Sequence, residues 1–547
     1  MDRPMAAAAV PTVPIRLKLS PELCQRAGME AVAVPAITTA VTELLSTLGI
    51  PGQPEVTWEP NDEEPAAGRP LALCANGRLC RYSDELMVLL YSYVQGKVAM
   101  SLDALNGLQA WLTSAQEHLV AEWLALLCRH TLGSDAGVLL GAEQARAYCT
   151  ALASATGGPV PDHERLAPML ARVLDLGIAI ADHAAVAAAL DEGTGTDDAA
   201  GEALVSKLRP DRIEVRMEGS YLRRLSIDDG ARGPELFAYL RNGLFTELGV
   251  AYPRFQIVLD DTLRRGGFAF SVNHLAGVPL IGLPQNCILV NALPDRLRLM
   301  EVAAEPALNP ATYLPCALAP RDAKERLEAE GLTTWDTFEF LILGLAGELR
   351  AKNGRLVDRS LTQQMLEQLG RSFPELEQAT NAHLSVDQVT AVLRGLAAEQ
   401  ISIRNLRRIL ELLLEHEFFI RSGAPVAERL SYVRQGLADA IARKYTQGAP
   451  ALVAYLLDTA AEQAIAARHD LPDADLARQT IKAIRTELNR YPSTATGSWP
   501  LILVGEAVRT PLQTMIAGEL PRMRVLSYSQ LPPDLNLLPV ARIGLEG

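Results

Sequence analysis

The chain has 547 residues, 49% hydrophobic, 21% charged and 5% aromatic, with a formal net charge of −14. That length supports several compact units, and that composition excludes a disordered, collagen-like or coiled-coil chain. Residues 1–200 carry 12 Lys and Arg against 24 Asp and Glu, a balance of −12 that leaves −2 to the remainder, and such a chain is poorly suited to neutralising nucleic-acid phosphates.

At the start, residues 1–14 set Asp2 beside Arg3 and place prolines at 4, 11 and 14, so the short Ala run lacks the lead and core of a signal peptide. Apolar runs such as 340–346 stop far short of the roughly 20 residues that cross a bilayer. No membrane span is expected, and the simplest compartment is the cytoplasm. Residues 14–19 (PIRLKL) alternate apolar and polar side chains, the period of a half-buried strand. An amphipathic helix follows, ending at Leu48, Gly49 and Ile50. Residues 52–69, proline-rich and acidic at Asp62, Glu63 and Glu64, read as a surface loop. Residues 191–201 (DEGTGTDDAAG) read as a flexible linker.

Beyond the linker the same order returns. Residues 212–217 (RIEVRM) answer 14–19, and Leu248, Gly249 and Val250 answer Leu48, Gly49 and Ile50. The alternating stretch 268–273 (FAFSVN) answers 71–76 (LALCAN), and 401–413 answers 178–190. The pattern predicts an internal duplication of an α+β unit. Ser385 and Gln388 form a capping-box pair opening a helix over 386–396. In residues 403–413, Leu406, Ile409, Leu410 and Leu413 make one face and Arg404, Arg407, Arg408 and Glu411 the other. A helix-rich stretch over 449–490 then leads to a buried strand at 500–504, a helix to Leu520, and strands at 524–528 and 540–545, the alternation of a small α/β domain. The fold expected is multidomain α+β. It comprises an N-terminal α+β subdomain (1–108), a helical subdomain (109–190), a linker (191–207) and an α+β subdomain (208–350) with an insert around 286–330. A helical subdomain (351–445) and a C-terminal α/β subdomain (446–547) complete it.

Catalytic and cofactor signatures are sparse. Cys24, Cys74, Cys80, Cys128, Cys149, Cys287 and Cys316 contain no C-x-x-C pair, and the eight histidines have no i, i+4 partner. Neither a disulfide framework nor a zinc site is indicated. No phosphate-binding loop, nucleophile elbow or dinucleotide fingerprint is present. The acidic pairs Asp260/Asp261 and Asp197/Asp198 read as solvated turns. No catalytic residue, cofactor or metal is expected.

Three stretches carry a resemblance: 244–258 (LFTELGVAYPRFQIV), 397–413 with its ISIRNLRRILEL core, and 499–528, where WPLILVGEAVRTPLQTMIAGEL is followed by PRMRVLSY. From about Leu208 onward the chain resembles the cytoplasmic domain of the FHIPEP family, export-gate proteins of flagellar and type III secretion systems. The resemblance implies a non-enzymatic domain that assembles into a ring beneath an export channel. In the family this domain docks chaperones and substrates in a groove between its subdomains. The family's D-P-A-F stretch corresponds to Asn309, Pro310, Ala311 and Thr312, which lack its carboxylate and its ring. Leu343 corresponds to the opposite groove wall, where flagellar members carry a small polar residue. Arg404, Arg407 and Arg408 are the candidate assembly face. The family's membrane region has no counterpart in this sequence, and an acidic copy of the cytoplasmic unit stands in its place. The partners implied are export-apparatus components, chaperones or substrate proteins and a second copy of the chain, with no nucleic acid and no direct membrane span. Two other readings are a stand-alone cytoplasmic scaffold using the same fold, and an enzyme whose residues follow no recognised motif.

Overall fold

The computed structural model describes residues 10–61, 69–192, 197–210, 212–229, 233–467, 474–491 and 501–545. Residues 1–9, the acidic run Asp62, Glu63 and Glu64, the linker glycines Gly193 and Gly195, and Trp499 and Pro500 lie outside them. The chain divides into two compact units. The first comprises Met1–Glu63, Pro70–Cys80 and Glu85–Thr362, and the second Glu64–Arg69, Arg81–Asp84 and Gln363–Gly547.

Among the described residues the first unit contains three sheets. In the first, β1 (Thr12–Leu19), β2 (Gln53–Pro60), β3 (Leu71–Ala75) and β4 (Arg78–Cys80) lie in the order β2-β1-β3-β4. β1 runs parallel to β2, with Ile15 opposite Val56, and antiparallel to β3. Its alternation is obeyed strictly: Val13, Ile15, Leu17 and Leu19 are fully buried. β3 returns into β4 through Asn76 and Gly77, both with positive φ (48° and 77°), the conformation a two-residue hairpin requires. The proline-rich stretch read as a loop is, over Gln53–Pro60, the edge strand β2. Edge strands tolerate proline because one side of the backbone has no partner to lose.

The second sheet repeats this arrangement. β5 (Arg212–Met217), β6 (Arg254–Leu259), β7 (Gly267–Val272) and β8 (Leu275–Ala276) lie in the order β6-β5-β7-β8, and β9 (Leu280–Ile281) also pairs with β7. β5 is parallel to β6, with Val215 opposite Ile257, and antiparallel to β7. The β7–β8 turn again opens on an asparagine, Asn273, at φ 61°. A smaller sheet holds β10 (Cys287–Val290), β11 (Glu305–Leu308), β12 (Pro315–Pro320) and β13 (Thr334–Trp335) in the order β11-β12-β10-β13. Its own core includes Ile288, Val290, Leu297, Ala317 and Leu327.

Helices fill the rest of the first unit. Met29–Leu48 buries Met29, Ala33, Ile37, Val41, Leu44, Leu45 and Leu48 at helical spacing and packs on the helix Glu117–Ser134. Its outer threonines Thr39, Thr42 and Thr47 bond back to the carbonyls four residues earlier. Among the described residues this one helix is long and apolar enough, by length and composition, to cross a membrane. That corrects the expectation that no apolar stretch reaches such a length. Here the apolar stripe faces the protein core. The expected linker is corrected too. The helix Asp197–Leu208 occupies most of it, burying Leu204, Val205 and Leu208, with Glu202 buried beside Arg172 at 2.5 Å. Gly, Thr and Asp at its start hid a helical apolar spacing that begins only at Ala200. Asp197 pairs with Arg165 at 2.7 Å.

The second unit is a helical layer followed by a parallel sheet. In the helix Val386–Ala398 the capping box is formed: the Gln388 N–H donates to Ser385 Oγ at 3.1 Å, and the Ser385 N–H to Gln388 Oε1 at 2.9 Å. The next helix, Leu406–Glu415, starts at the first residue of its apolar face, three residues inside the segment 403–413, and the Asn405 side chain caps it by accepting from the Arg408 N–H at 3.3 Å. The stretch read as helix-rich from 449 contains the strand β14 (Ala451–Leu457). With β15 (Leu501–Val504), β16 (Arg524–Ser527) and β17 (Asn536–Ile543) it forms a parallel sheet ordered β16-β15-β14-β17. A short apolar run such as ALVAYLL is central strand or core helix on periodicity alone. Tyr455, Ile465, Ile484, Ile502, Leu512 and Val525 belong to its core.

Candidate functional site

Asn309–Thr312 form a tight turn after β11. The Asn309 side chain is buried, and its Oδ1 accepts the backbone N–H of Ala311 at 2.8 Å and of Thr312 at 3.2 Å. The Tyr313 N–H closes the turn onto the Asn309 carbonyl at 2.7 Å, with Tyr313 itself at φ 55°. An Asx turn of this kind uses the side chain as backbone. Pro310 and Ala311 are buried, and Thr312 is half-buried.

The turn lies on the helix Thr337–Ala351. A Cβ built on Gly347 would stand 2.6 Å from the Ala311 Cα and 2.9 Å from the Pro310 carbonyl oxygen, so only glycine permits this approach. Leu343 sits one helical turn before Gly347 and is half-buried. The helix is fixed by Asp336, which accepts the N–H groups of Phe338 and Glu339, while Glu339 accepts from the Asp336 N–H.

Arg404, Arg407 and Arg408 lie on the exposed side of their segment, and Leu406, Ile409, Leu410 and Leu413 face inward. The face is less basic than its composition suggests. Arg407 donates to Glu411 at 2.8 Å and covers the Phe373 ring at 4.7 Å, and Arg408 approaches the same carboxylate at 3.6 Å.

Sequence reasoning did not find the seam inside the first unit where the two larger sheets and their helices meet. Leu275, 7% exposed, inserts against Gly133 and Gly177, whose built Cβ atoms would lie 3.7 and 3.4 Å from it. Backbone and side-chain bonds flank this knob. The His274 N–H donates to the Gly177 carbonyl at 2.9 Å, the Ala179 N–H to His274 Nδ1 at 3.0 Å, and Asn273 Nδ2 to the Leu176 carbonyl at 2.8 Å. Arg264 Nε donates to Glu122 at 2.9 Å, and the Arg264 N–H to the Tyr93 hydroxyl at 2.8 Å.

A cleft of about 710 Å³ runs along the seam. Its charges are matched: Arg129 with Glu43 at 2.9 Å and Arg216 with Asp260 at 2.9 Å. Asp260 is therefore a buried ion-pair partner, and its carboxylate also accepts from the Thr262 hydroxyl at 2.6 Å. The expectation of a solvated turn is overturned because Arg216 supplies the compensating charge. Burial, with Arg129 and Lys352 nearby, pushes His130 down to about 3, so its imidazole is neutral near pH 7. Cys80, Cys128, Cys149 and Cys316 are buried, and burial raises Cys128 to about 12. Such thiols are poor nucleophiles. Among the described residues no group of three His, Cys, Asp or Glu is placed to hold a metal ion.

Curated relatives match this chain at low identity. They include the low calcium response locus protein D of Yersinia pestis, 25% identical over 312 residues, or 56% of this chain and 44% of the relative. The hypersensitivity response secretion protein HrcV of Ralstonia nicotianae is 27% identical over 314 residues, again 56% and 44%. The flagellar biosynthesis protein FlhA of Treponema pallidum is 23% identical over 330 residues, 58% of this chain and 46% of the relative. The chain thus spans less than half the length of these relatives. Among solved structures, the Chlamydia pneumoniae CdsV protein is 25% identical with a TM-score of 0.55, covering 60% of this chain and 97% of that one. The model of the FHIPEP family matches residues 137–536, well over half of the sequence, and the chain therefore belongs to the FHIPEP family.

Proposed function

We propose that this protein is a non-enzymatic, protein-binding component of a flagellar or type III secretion export apparatus, working in the cytoplasm at the periphery of the membrane export complex. The observation that carries this reading is the family match over 137–536 together with likeness to nearly all of the CdsV chain. CdsV has been solved in complex with the CdsO protein, and a comparable protein partner is inferred here. Residues 1–190 are read as a diverged copy of the α+β and helical subdomains that follow. Supporting this are the shared strand order, the left-handed Asn76 and Asn273 at equivalent turns, and the left-handed Gly177 and Gln400 at equivalent helix ends.

On this reading the turn at Asn309, Pro310, Ala311 and Thr312, with Leu343 across from it, is a partner groove whose anchors differ from those of flagellar members. Arg404, Arg407 and Arg408 form an assembly face through which the chain self-associates. Crosslinking in cells followed by mass spectrometry tests the function: recovery of export-gate membrane proteins or a secretion ATPase is expected, and their absence would overturn it. The assembly face has its own test. Reversing the three arginines to Glu should reduce self-association measured by sedimentation in low salt, and an unchanged profile removes them from the interface.

A second reading, a stand-alone cytoplasmic scaffold, is favoured by one observation. Asn309 is committed to its own turn and no ring stands at Thr312, so the strongest anchors of such a groove are missing.

A further inference from the structure

The two larger sheets of the first unit end on strands of the same rank, β2 and β6, and these edges are built differently. An edge strand offers unpaired backbone groups, and proteins normally guard it with proline and charge. β2 (QPEVTWEP) is guarded in this way. Pro54 and Pro60 remove two N–H donors, and Glu55 and Glu59 stand along it, Glu59 within 3.8 Å of Arg16. The Met29–Leu48 helix also packs against β2.

β6 (RFQIVL) is less guarded. It contains no proline and no charge after Arg254, and it leaves Ile257 48% and Leu259 57% exposed. A groove of about 650 Å³ adjoins it, between β6 and the helix Gly233–Leu248. Its floor is aromatic: the Phe237 ring lies 5.5 Å from that of Phe255 and 5.7 Å from that of Phe338. Leu222, Leu225 and Ile257 continue the apolar wall. At its rim stand Arg241 and Arg254, for which the described residues provide no ion-pair partner, and no acidic residue lines the groove among them.

We propose that β6 and this groove are a docking site for an extended segment of a partner protein, added as a further strand beside β6, with apolar side chains at alternate positions and acidic residues flanking them. The open edge selects an extended backbone, because only a strand satisfies its N–H and C=O groups in sequence. The aromatic floor takes side chains from one face of that strand, which lie two residues apart. Arg241 and Arg254 select the flanking acid, since an unpaired guanidinium gains most from a carboxylate. The site is separate from the turn at Asn309 and does not depend on the secretion reading.

The test uses the full chain and labelled peptides of roughly nine residues, the length of a long strand. Three versions alternate Val or Ile with Thr: one with Glu at the ends, one with Lys at the ends, and one Glu-ended with backbone N-methylation at alternate residues. Expected is that the Glu-ended peptide binds about ten-fold tighter than either other version, as strand pairing with charge matching requires. Ile257→Lys should abolish that binding. Arg241→Glu combined with Arg254→Glu should reverse the preference toward the Lys-ended peptide, a gain that loss of folding does not produce. Equal binding by the N-methylated peptide would reduce the groove to apolar adhesion and overturn the proposal. So would an absence of binding by all three, or self-association of the unliganded protein that Ile257→Lys dissolves, since the edge would then belong to a second copy.

Discussion

The β1–β4 sheet and the β5–β9 sheet share one topology, but the first is closed and the second is open. Around the first, the Met29–Leu48 helix lies on β2 and the loop at 178–181 clamps the helix end, with the Ile180 N–H donating to the Leu48 carbonyl at 2.8 Å. Around the second, Tyr239 and Phe245 on the helix Gly233–Leu248 are 78% and 48% exposed, and Ile257 and Leu259 stand exposed on the edge strand. The same backbone plan thus serves as support in one place and as contact surface in the other. The second sheet also supplies the inserted element at the seam: Leu275 enters the first region, while Arg78 and Leu79 on β4 remain exposed. The difference lies in side chains at edges and turns, not in strand order.

The comparison can be broken most strongly at the seam. Leu275→Ala removes a buried side chain held at Gly133 and Gly177 and should cost about 3 kcal/mol in urea unfolding, while Leu79→Ala on the counterpart strand should cost about 0.5 kcal/mol or less. Equal costs would mean the seam contributes nothing beyond the sheets themselves. The next effect is at the helix end of the first region. Gly49 has φ 76°, and a Cβ there would lie 2.5 Å from the backbone of Ala181. Gly49→Ala should destabilise by about 2 kcal/mol through left-handed strain and the loss of that clamp, read as a lowered melting temperature and faster amide exchange at 178–181.

Acid should separate the two sheets without mutation. Glu218, just after β5, is desolvated, but its bonds from the Ser220 hydroxyl and from the N–H groups of Gly266, Ser220 and Tyr221 hold it at about 2. A carboxylate depressed in the folded state contributes stability that is complete above its unfolded pKa and is lost as pH falls through the folded one. Protection of the β5 and β7 amides, taken relative to the intrinsic exchange rate at each pH, should therefore fall from about pH 4.5 towards 2, where β1, followed by Ser20, has no such group. Glu218→Gln should flatten that dependence, and an unchanged profile would remove Glu218 as its source. Smallest is the ion pair across the seam. Arg264 and Glu122 are each about one-third exposed, so Arg264→Ala should cost no more than about 1 kcal/mol, with a double-mutant cycle against Glu122→Ala isolating the pair.

Elements whose chemistry is local were legible in the sequence. The alternation of β1 and β5, the Ser385 and Gln388 capping box and the apolar face from Leu406 to Leu413 all report neighbours a few residues away. β2 was hidden because Pro54, Pro60, Glu55 and Glu59, the residues that guard an edge, are also those of a loop. β14 was hidden because its seven residues, ALVAYLL, are all apolar and so show no polar alternation. The burial of Asp260 depends on Arg216, 44 positions earlier in the numbering, and no local pattern announces such a partner. The sequence singles out Asn309–Thr312 and Leu343 as candidate groove residues, but the close approach at Gly347 that seats the turn is a tertiary fact.

Leu275 and the glycines that receive it belong to one polypeptide. Their association is therefore intramolecular, governed by an effective concentration set by the connecting chain and not by how much protein is present. Dilution that would separate two independent subunits leaves this contact formed, and the stoichiometry of its two halves is fixed at synthesis.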